Sequence, residues 1–166
     1  MQPLIDLRAS SSRLTGASGW VISPRHAVTH CNARKRIYDE VVCSRRRRQL
    51  KICALATGLA DKAVSLVYER VLRKDQLKLW VERCEAQIGG VLAVLEKERA
   101  AVTTPWWFGE RIGHADIAVA CALRFTGEGH PALFDARYPA LQAHAAACEA
   151  LPPFQEIVQP LAPPSG

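Results

Sequence analysis

Between Gln76 and Ala101 apolar residues recur every three or four positions: Leu77, Trp80, Val81, Cys84, Ile88, Val91, Leu92 and Leu95. That spacing draws one stripe along an α-helix, whereas a half-buried strand would alternate every second residue. It predicts a helix with one face in a core. Asp75 is the expected N-cap, and Thr103, Thr104 and Pro105 end the run. The same spacing runs from Arg45 to about Arg73 through Leu50, Cys53, Ala54, Leu59, Ala63, Leu66, Val67 and Val71, with Gly58 as a weak point. The short break at Arg73 to Asp75 favours two antiparallel neighbours. Gly89 and Gly90 cost helix propensity, roughly 1 kcal/mol each against Ala, and close approach of another helix would explain that cost.

A third helix is announced by its start. In Ile112-Gly113-His114-Ala115-Asp116-Ile117, Gly113 takes the N-cap, the Asp116 carboxylate reaches back to the N-cap N–H, and Ile112 faces Ile117 as a hydrophobic staple. The residues that follow, Ile117 to Leu123, are apolar on nearly every side and predict a central, enclosed helix, with Gly127 as its stop. Two shorter helices are expected from Tyr138 to about Ala150, with Pro139 in the first turn, and around Pro153 to Val158. No part of residues 45–166 shows strand alternation or β-branched clustering. The fold expected is all-α, a bundle of about five helices.

Residues 1–44 show no sustained period, and Ser10-Ser11-Ser12, Gly16, Gly19 and Ser23-Pro24 interrupt each short apolar stretch. They read as an irregular, weakly structured segment, with the one domain boundary near residue 45. The net charge of +6 is equally uneven, because residues 1–50 hold ten Lys/Arg against three Asp/Glu. A basic excess confined to an appendage does not form the spread basic face that nucleic-acid binding needs, and the Arg45 to Arg48 run reads as a solvated helix start. The six cysteines form no tight pair, and 49% hydrophobic content suits a globular core, so reduced thiols are expected. Cys53, Cys84 and Cys121 lie among aliphatic residues as small core hydrophobes. His26, His30 and Cys31 lack a further ligand, so no metal site is expected. No apolar run reaches the length of a membrane span, and no signal segment opens the chain, which reads as cytoplasmic.

The order of these features resembles the C-terminal all-helical domain of cytosolic glutathione S-transferases of the bacterial kind. The resemblance covers about Gln49 to Pro164: the Leu55-Ala-Thr-Gly-Leu-Ala-Asp-Lys stretch, Gln87-Ile-Gly-Gly-Val-Leu, the Trp106-Trp107-Phe108-Gly109 turn, the Gly113 to Asp116 helix start, and the Glu149-Ala-Leu-Pro-Pro-Phe tail. Its most specific element is the capping box and staple on Ile112, Gly113, Asp116 and Ile117, where Gly113 replaces the family's usual Ser or Thr.

The resemblance implies conjugation of glutathione to electrophilic small molecules, or their reduction, as in detoxification, usually by a homodimer. Glutathione would be the co-substrate, bound by an N-terminal thioredoxin-like domain that supplies the thiolate-stabilising residue. The 44 residues before residue 45 fall below the roughly 50-residue floor for a folding domain, and one βαβ unit takes about 30 of them. Tyr38-Asp39-Glu40 only faintly matches the family's Tyr-Asp-Ser contact, with Glu40 where the serine belongs. The thioredoxin-like domain is therefore expected to be missing, as in a truncated, frame-shifted or mis-started product, and no catalytic residue is assigned.

Three residues are candidates for substrate contact. Tyr68, with Leu72 one turn on, lies in the later turns of the first long helix, which by resemblance face the electrophile. Trp107 belongs to an aromatic cluster that would line a pocket or anchor a core. Asp116 reads as a capping group and not as a catalytic carboxylate. The other class of function open to the chain is a non-catalytic helical protein-interaction module, which predicts an exposed apolar patch.

Overall fold

The computed structural model describes the backbone of residues 24–162 and the side chains of residues 39–162. The chain divides into two units, Met1–Asp39 and Glu40–Gly166, and the second holds all the packing described below. Five helices follow one another: α1 (Pro24–Leu72), α2 (Lys78–Ala100), α3 (His114–Gly129), α4 (Pro139–Glu149) and the short α5 (Pro152–Glu156). No strand occurs among the described residues, whose only extended pairing is an isolated antiparallel bridge between Trp106 and Gly109. The described residues are all-α, as their spacing predicts. None of the described helices is long and apolar enough to cross a membrane.

The core of α1 is Ile52, Ala56, Leu59, Ala63 and Leu66, a four-three-four-three spacing that faces Cys84, Ile88, Leu92 and Leu95 of α2 in the same hydrophobic cluster. Val119, Ala122 and Leu123 of α3 and Leu141 of α4 complete it. Leu50 and Val71, expected inside, are exposed, because the seam runs through Ile52 and Ala56 and turns both away. α1 itself begins at Pro24, upstream of Arg45, where the apolar spacing first becomes readable.

Each helix start has its own solution for unpaired N–H groups. Asp75 does not cap α2. The N-cap is Leu77, and its N–H donates to Glu69 Oε1 of α1 at 2.8 Å. α4 begins with Tyr138 at the N-cap and Pro139 at N1, and the N–H groups of Ala140 and Leu141 donate to the two carboxylate oxygens of Glu96 on α2, each at 2.9 Å. One side chain from the neighbouring helix thus closes two orphaned donors.

Three further expectations are corrected by the packing. α3 passes through Gly127 and ends at Gly129, with His130 as C-cap, because the buried Thr126 and His130 continue its inner face. α3 is not enclosed on every side: Ile117 and Cys121 lie exposed along one edge, so Cys121 is no core residue. A Cβ on Gly89 or Gly90 would meet nothing within 4 Å, so no helix among the described residues approaches closely there.

The Glu96 contact gives a direct test. Glu96→Ala should lower unfolding free energy by about 1–3 kcal/mol, since two N–H donors lose a charged acceptor. Glu96→Gln, which keeps one acceptor oxygen, should cost less. Urea unfolding followed by circular dichroism reads the difference.

Candidate functional site

Tyr68 and Leu72 project from the later turns of α1 into a cavity of about 570 Å³, lined also by Val64, Val67, Phe125 of α3, and Leu161 and Ala162 of the tail beyond α5. Both side chains are more than half exposed, at 56% and 57%. These are large apolar groups, one turn apart, with no packing partner covering them. The lining is almost wholly apolar, and the Tyr68 hydroxyl is the one side-chain hydrogen-bonding group it carries. The cavity offers apolar side chains and one hydroxyl.

Trp107 lies elsewhere. It is 3% exposed within the core, and its ring meets His144 edge-on at 5.2 Å between centroids. Burial leaves it no surface to offer a ligand, so the structure unites Tyr68 and Leu72 but does not bring Trp107 to them. Its place depends on the turn before α3. Trp106 and Gly109 exchange backbone hydrogen bonds at 3.1 and 3.3 Å, and Gly109 sits at a φ of +139°, a region open essentially to glycine. Arg45 donates to the Phe108 carbonyl, and the Arg48 guanidinium lies 5.9 Å from the Phe108 ring centroid. Two of the four arginines of that run are therefore engaged with this turn.

Asp116 ties the turn to α3. Its Oδ2 accepts from the Gly113 N–H and its Oδ1 from the Trp107 N–H, both at 2.8 Å, while the residue is 1% exposed. Gly113 has no side chain to return the bond, so only the carboxylate half of a capping box operates here. Ile112 is half-buried, whereas Ile117 is exposed and lines a second cavity, of about 460 Å³, with Cys121, Arg124, Phe154 and Ile157.

Asp116, His144 and Cys148 lie close enough to suggest a nucleophilic triad. His144 Nε2 is 3.9 Å from Asp116 Oδ1 and 3.8 Å from Cys148 Sγ. A relay needs the acid and the nucleophile on different ring nitrogens, yet both approach Nε2, and buried Nδ1 meets no partner. Burial, with Asp116 and Glu149 nearby, pushes the Cys148 thiol up to about 12, and burial also holds His144 below the ordinary histidine value. A neutral thiol without access to solvent is no nucleophile. Cys84, whose thiol burial also pushes up, is equally inert.

His130 is the second buried imidazole. Arg70 can only donate, so His130 Nδ1 accepts from it at 2.8 Å, and the Nε2 proton is donated to the Ala63 carbonyl at 2.9 Å. This pattern requires the neutral ring. Among the described residues no group of three or more His, Cys, Asp or Glu could hold a metal, and the side chains of His26, His30 and Cys31 lie outside those residues.

The family model for the glutathione S-transferase C-terminal domain matches residues 79–147. Residues 79–147 belong to that domain family. A glutathione S-transferase from Methylobacterium radiotolerans, solved with glutathione sulfonate, superposes with a TM-score of 0.63 at 25% identity, over 71% of this chain and 56% of its own. A glutathione transferase family member from Pseudomonas fluorescens Pf-5, solved with S-(propanoic acid)-glutathione, gives 0.61 at 31% identity, over 70% of this chain and 58% of its own. A glutathione S-transferase from Actinobacillus pleuropneumoniae shares the fold, with a TM-score of 0.55 at 18% identity, over 68% of this chain and 49% of its own. The chain thus spans 49–58% of the length of these three transferases. No curated protein matches it in sequence.

The two imidazoles set a pH dependence within this glutathione S-transferase domain. Burial lowers both below the ordinary value of 6.5, so the unfolded chain binds their protons first as pH falls. The stability they contribute is complete above the unfolded value and is lost as pH falls through the folded values. The unfolding midpoint should therefore drop between about pH 7.5 and about pH 5.5, before carboxylates titrate. His130→Gln, which retains a donor for Ala63, should flatten that drop in thermal scans across the same range.

Proposed function

We propose that this chain is a glutathione S-transferase whose helical domain, residues 45–166, supplies the electrophile pocket and a dimer surface. The reaction is conjugation of glutathione to an electrophilic small molecule, or its reduction. The observation that carries this reading is the apolar cavity holding Tyr68 and Leu72 in a domain of this family. Glutathione as co-substrate is supported by the two solved relatives that hold glutathione derivatives. Its thiolate would be activated by a thioredoxin-like domain supplied from outside residues 45–166, because Cys148 and His144, the pair that comes nearest to a nucleophile and base, are buried. The proposed setting is the cytoplasm, where the thiols stay reduced.

Titration calorimetry with 1-chloro-2,4-dinitrobenzene tests the pocket, and the same preparation with glutathione tests turnover. Saturable binding of the electrophile is expected, weakened roughly tenfold by Tyr68→Ala. Absence of binding, or binding indifferent to Tyr68, would remove the reading. An interaction module is the second reading, favoured by the open α3–α5 edge where Ile117 and Ile157 are exposed, and it gains if the chain binds no electrophile.

The dimer is supported by Gly89 and Gly90. Among the described residues they meet nothing within 4 Å, and close approach of a second copy would offset their cost in helix propensity. Gly90→Ala should leave the monomer as stable or up to about 1 kcal/mol more so, while weakening self-association in sedimentation equilibrium.

A further inference from the structure

The end of the bundle where α1 hands over to α2 exposes apolar side chains that the core does not use. Tyr68, Val71, Leu72, Leu77 and Leu79 are five of the twelve large apolar residues exposed among the described residues, and they fall within twelve consecutive positions. Leu79 is 73% exposed. The buried cluster takes its last α1 member at Leu66 and its first α2 member at Cys84, so it stops short of these positions. Val71, Leu77 and Leu79 line none of the cavities described above. With only Arg73 to Leu77 joining the two helices, the exposed groups sit at the tip of a helical hairpin.

The same tip is basic. Arg73, Lys74 and Lys78 are exposed among the leucines, and between Tyr68 and Leu79 the one exposed acidic residue is Asp75, since Glu69 is buried. Helix electrostatics favours acidic groups in a first turn, yet the first turn of α2 has none and opens with Lys78, whose side chain is 89% exposed. The contact of Lys78 with Glu82, at 3.8 Å, is an exposed pair that adds little to stability. Folding therefore gains nothing from a cation and a bare leucine at the start of α2. A second copy docked tip to tip would set these cations against their own kind. An anionic bilayer matches both features, because lysine stems lie along apolar surface while their ammonium groups meet headgroups, and leucines enter the acyl boundary.

We propose that the α1–α2 tip is a peripheral docking surface for an anionic lipid bilayer, with Leu77 and Leu79 at the acyl boundary and Lys74 and Lys78 at the headgroups. Arg73, paired with Glu69 at 3.2 Å, strengthens the attraction without leaving its place. Tyr68 and Leu72 belong to both the tip and the 570 Å³ cavity, so a docked chain holds that cavity at the membrane surface. The docking does not depend on what the cavity binds.

Cosedimentation of the full chain tests this, with vesicles of phosphatidylglycerol and phosphatidylcholine in roughly equal parts and with phosphatidylcholine alone. Binding to the mixed vesicles is expected, at least about tenfold weaker on phosphatidylcholine alone or when salt rises from about 0.1 M to about 0.5 M. Lys74→Gln combined with Lys78→Gln should weaken it roughly twentyfold, about fivefold for each cation. Leu79→Ser should cost roughly tenfold. These positions lie outside the core, so helicity and the unfolding midpoint should stay unchanged in both variants. Ile157→Ser, on the α5 edge, and Arg46→Gln combined with Arg47→Gln, on α1, should remain within about twofold of the unaltered chain. If these two controls lose as much as the tip variants, the chain adheres through charge and apolar surface at large, and the docking surface is overturned. Absence of binding to the mixed vesicles overturns it as well. If soluble polyglutamate displaces the vesicles and Leu79→Ser changes neither interaction, the partner is an acidic polypeptide and not a membrane. Self-association that Leu79→Ser abolishes, in a chain that ignores vesicles, would give the tip to a second copy instead.

Discussion

The bundle depends on carboxylates that satisfy helix starts whose own N-cap side chains do not. Leu77, Gly113 and Tyr138 stand at the N-caps of α2, α3 and α4, and none makes a side-chain capping hydrogen bond. Glu69 serves α2 from the preceding helix, and Glu96 serves α4 from α2. Asp116 serves α3 and, with its second oxygen, the turn that carries Trp107. A local cap constrains only its own turn, whereas a remote one also fixes the distance and register between two elements. Apolar packing alone would tolerate small slides of one helix along another. A Glu96 that must meet two consecutive N–H groups on α4 does not.

This arrangement explains which parts of the fold were legible in the sequence. The α3 start was readable because its cap lies three residues away, inside one window, where Gly113, Asp116 and their flanking isoleucines can be seen together. The α2 start was not. Asp75 offers the right residue type at the right place, but Glu69 lies eight residues before Leu77 and reaches it only after the chain has turned. The α1 seam shows the same limit. Leu59, Ala63 and Leu66 are legible, while Ile52 and Ala56 do not stand out from Leu50, Cys53 and Ala54, because an unbroken helix offers several stripes and only the partner helix selects one. Side-chain composition overstated the enclosure of α3 for a related reason. Ile117 and Cys121 are apolar enough for a core, but no element of the described chain covers that edge.

Among the candidate site residues, Tyr68 and Leu72 occupy one cavity because they lie one turn apart on the same helix face. Trp107 could not have been separated from them by residue type, since an aromatic ring serves a pocket and a core equally well. What sends it inward is the Gly109 turn together with the hydrogen bond from its own N–H to Asp116. The tail residues Leu161 and Ala162 carried no signal in the sequence at all. They reach the cavity because the Leu161 N–H meets Glu128 and Gly129 leaves room beside Val67, at the end of a helix that runs past its expected stop at Gly127.

The buried polar groups make a similar point about chemistry. Residue types alone would let Asp116, His144 and Cys148 be read as a catalytic trio, and the distances do not forbid it. Orientation and burial do. One ring nitrogen faces both would-be partners, and the thiol is kept protonated by burial and by neighbouring carboxylates. His130 is locked as the neutral ring by an arginine that can only donate and a carbonyl that can only accept. Both histidines therefore act as uncharged core residues that complete hydrogen-bonding or aromatic contacts. Neither lines the cavity that holds Tyr68 and Leu72, whose side chains are apolar apart from the Tyr68 hydroxyl. A domain built in this way presents apolar surface and, at its buried cysteines, no thiolate.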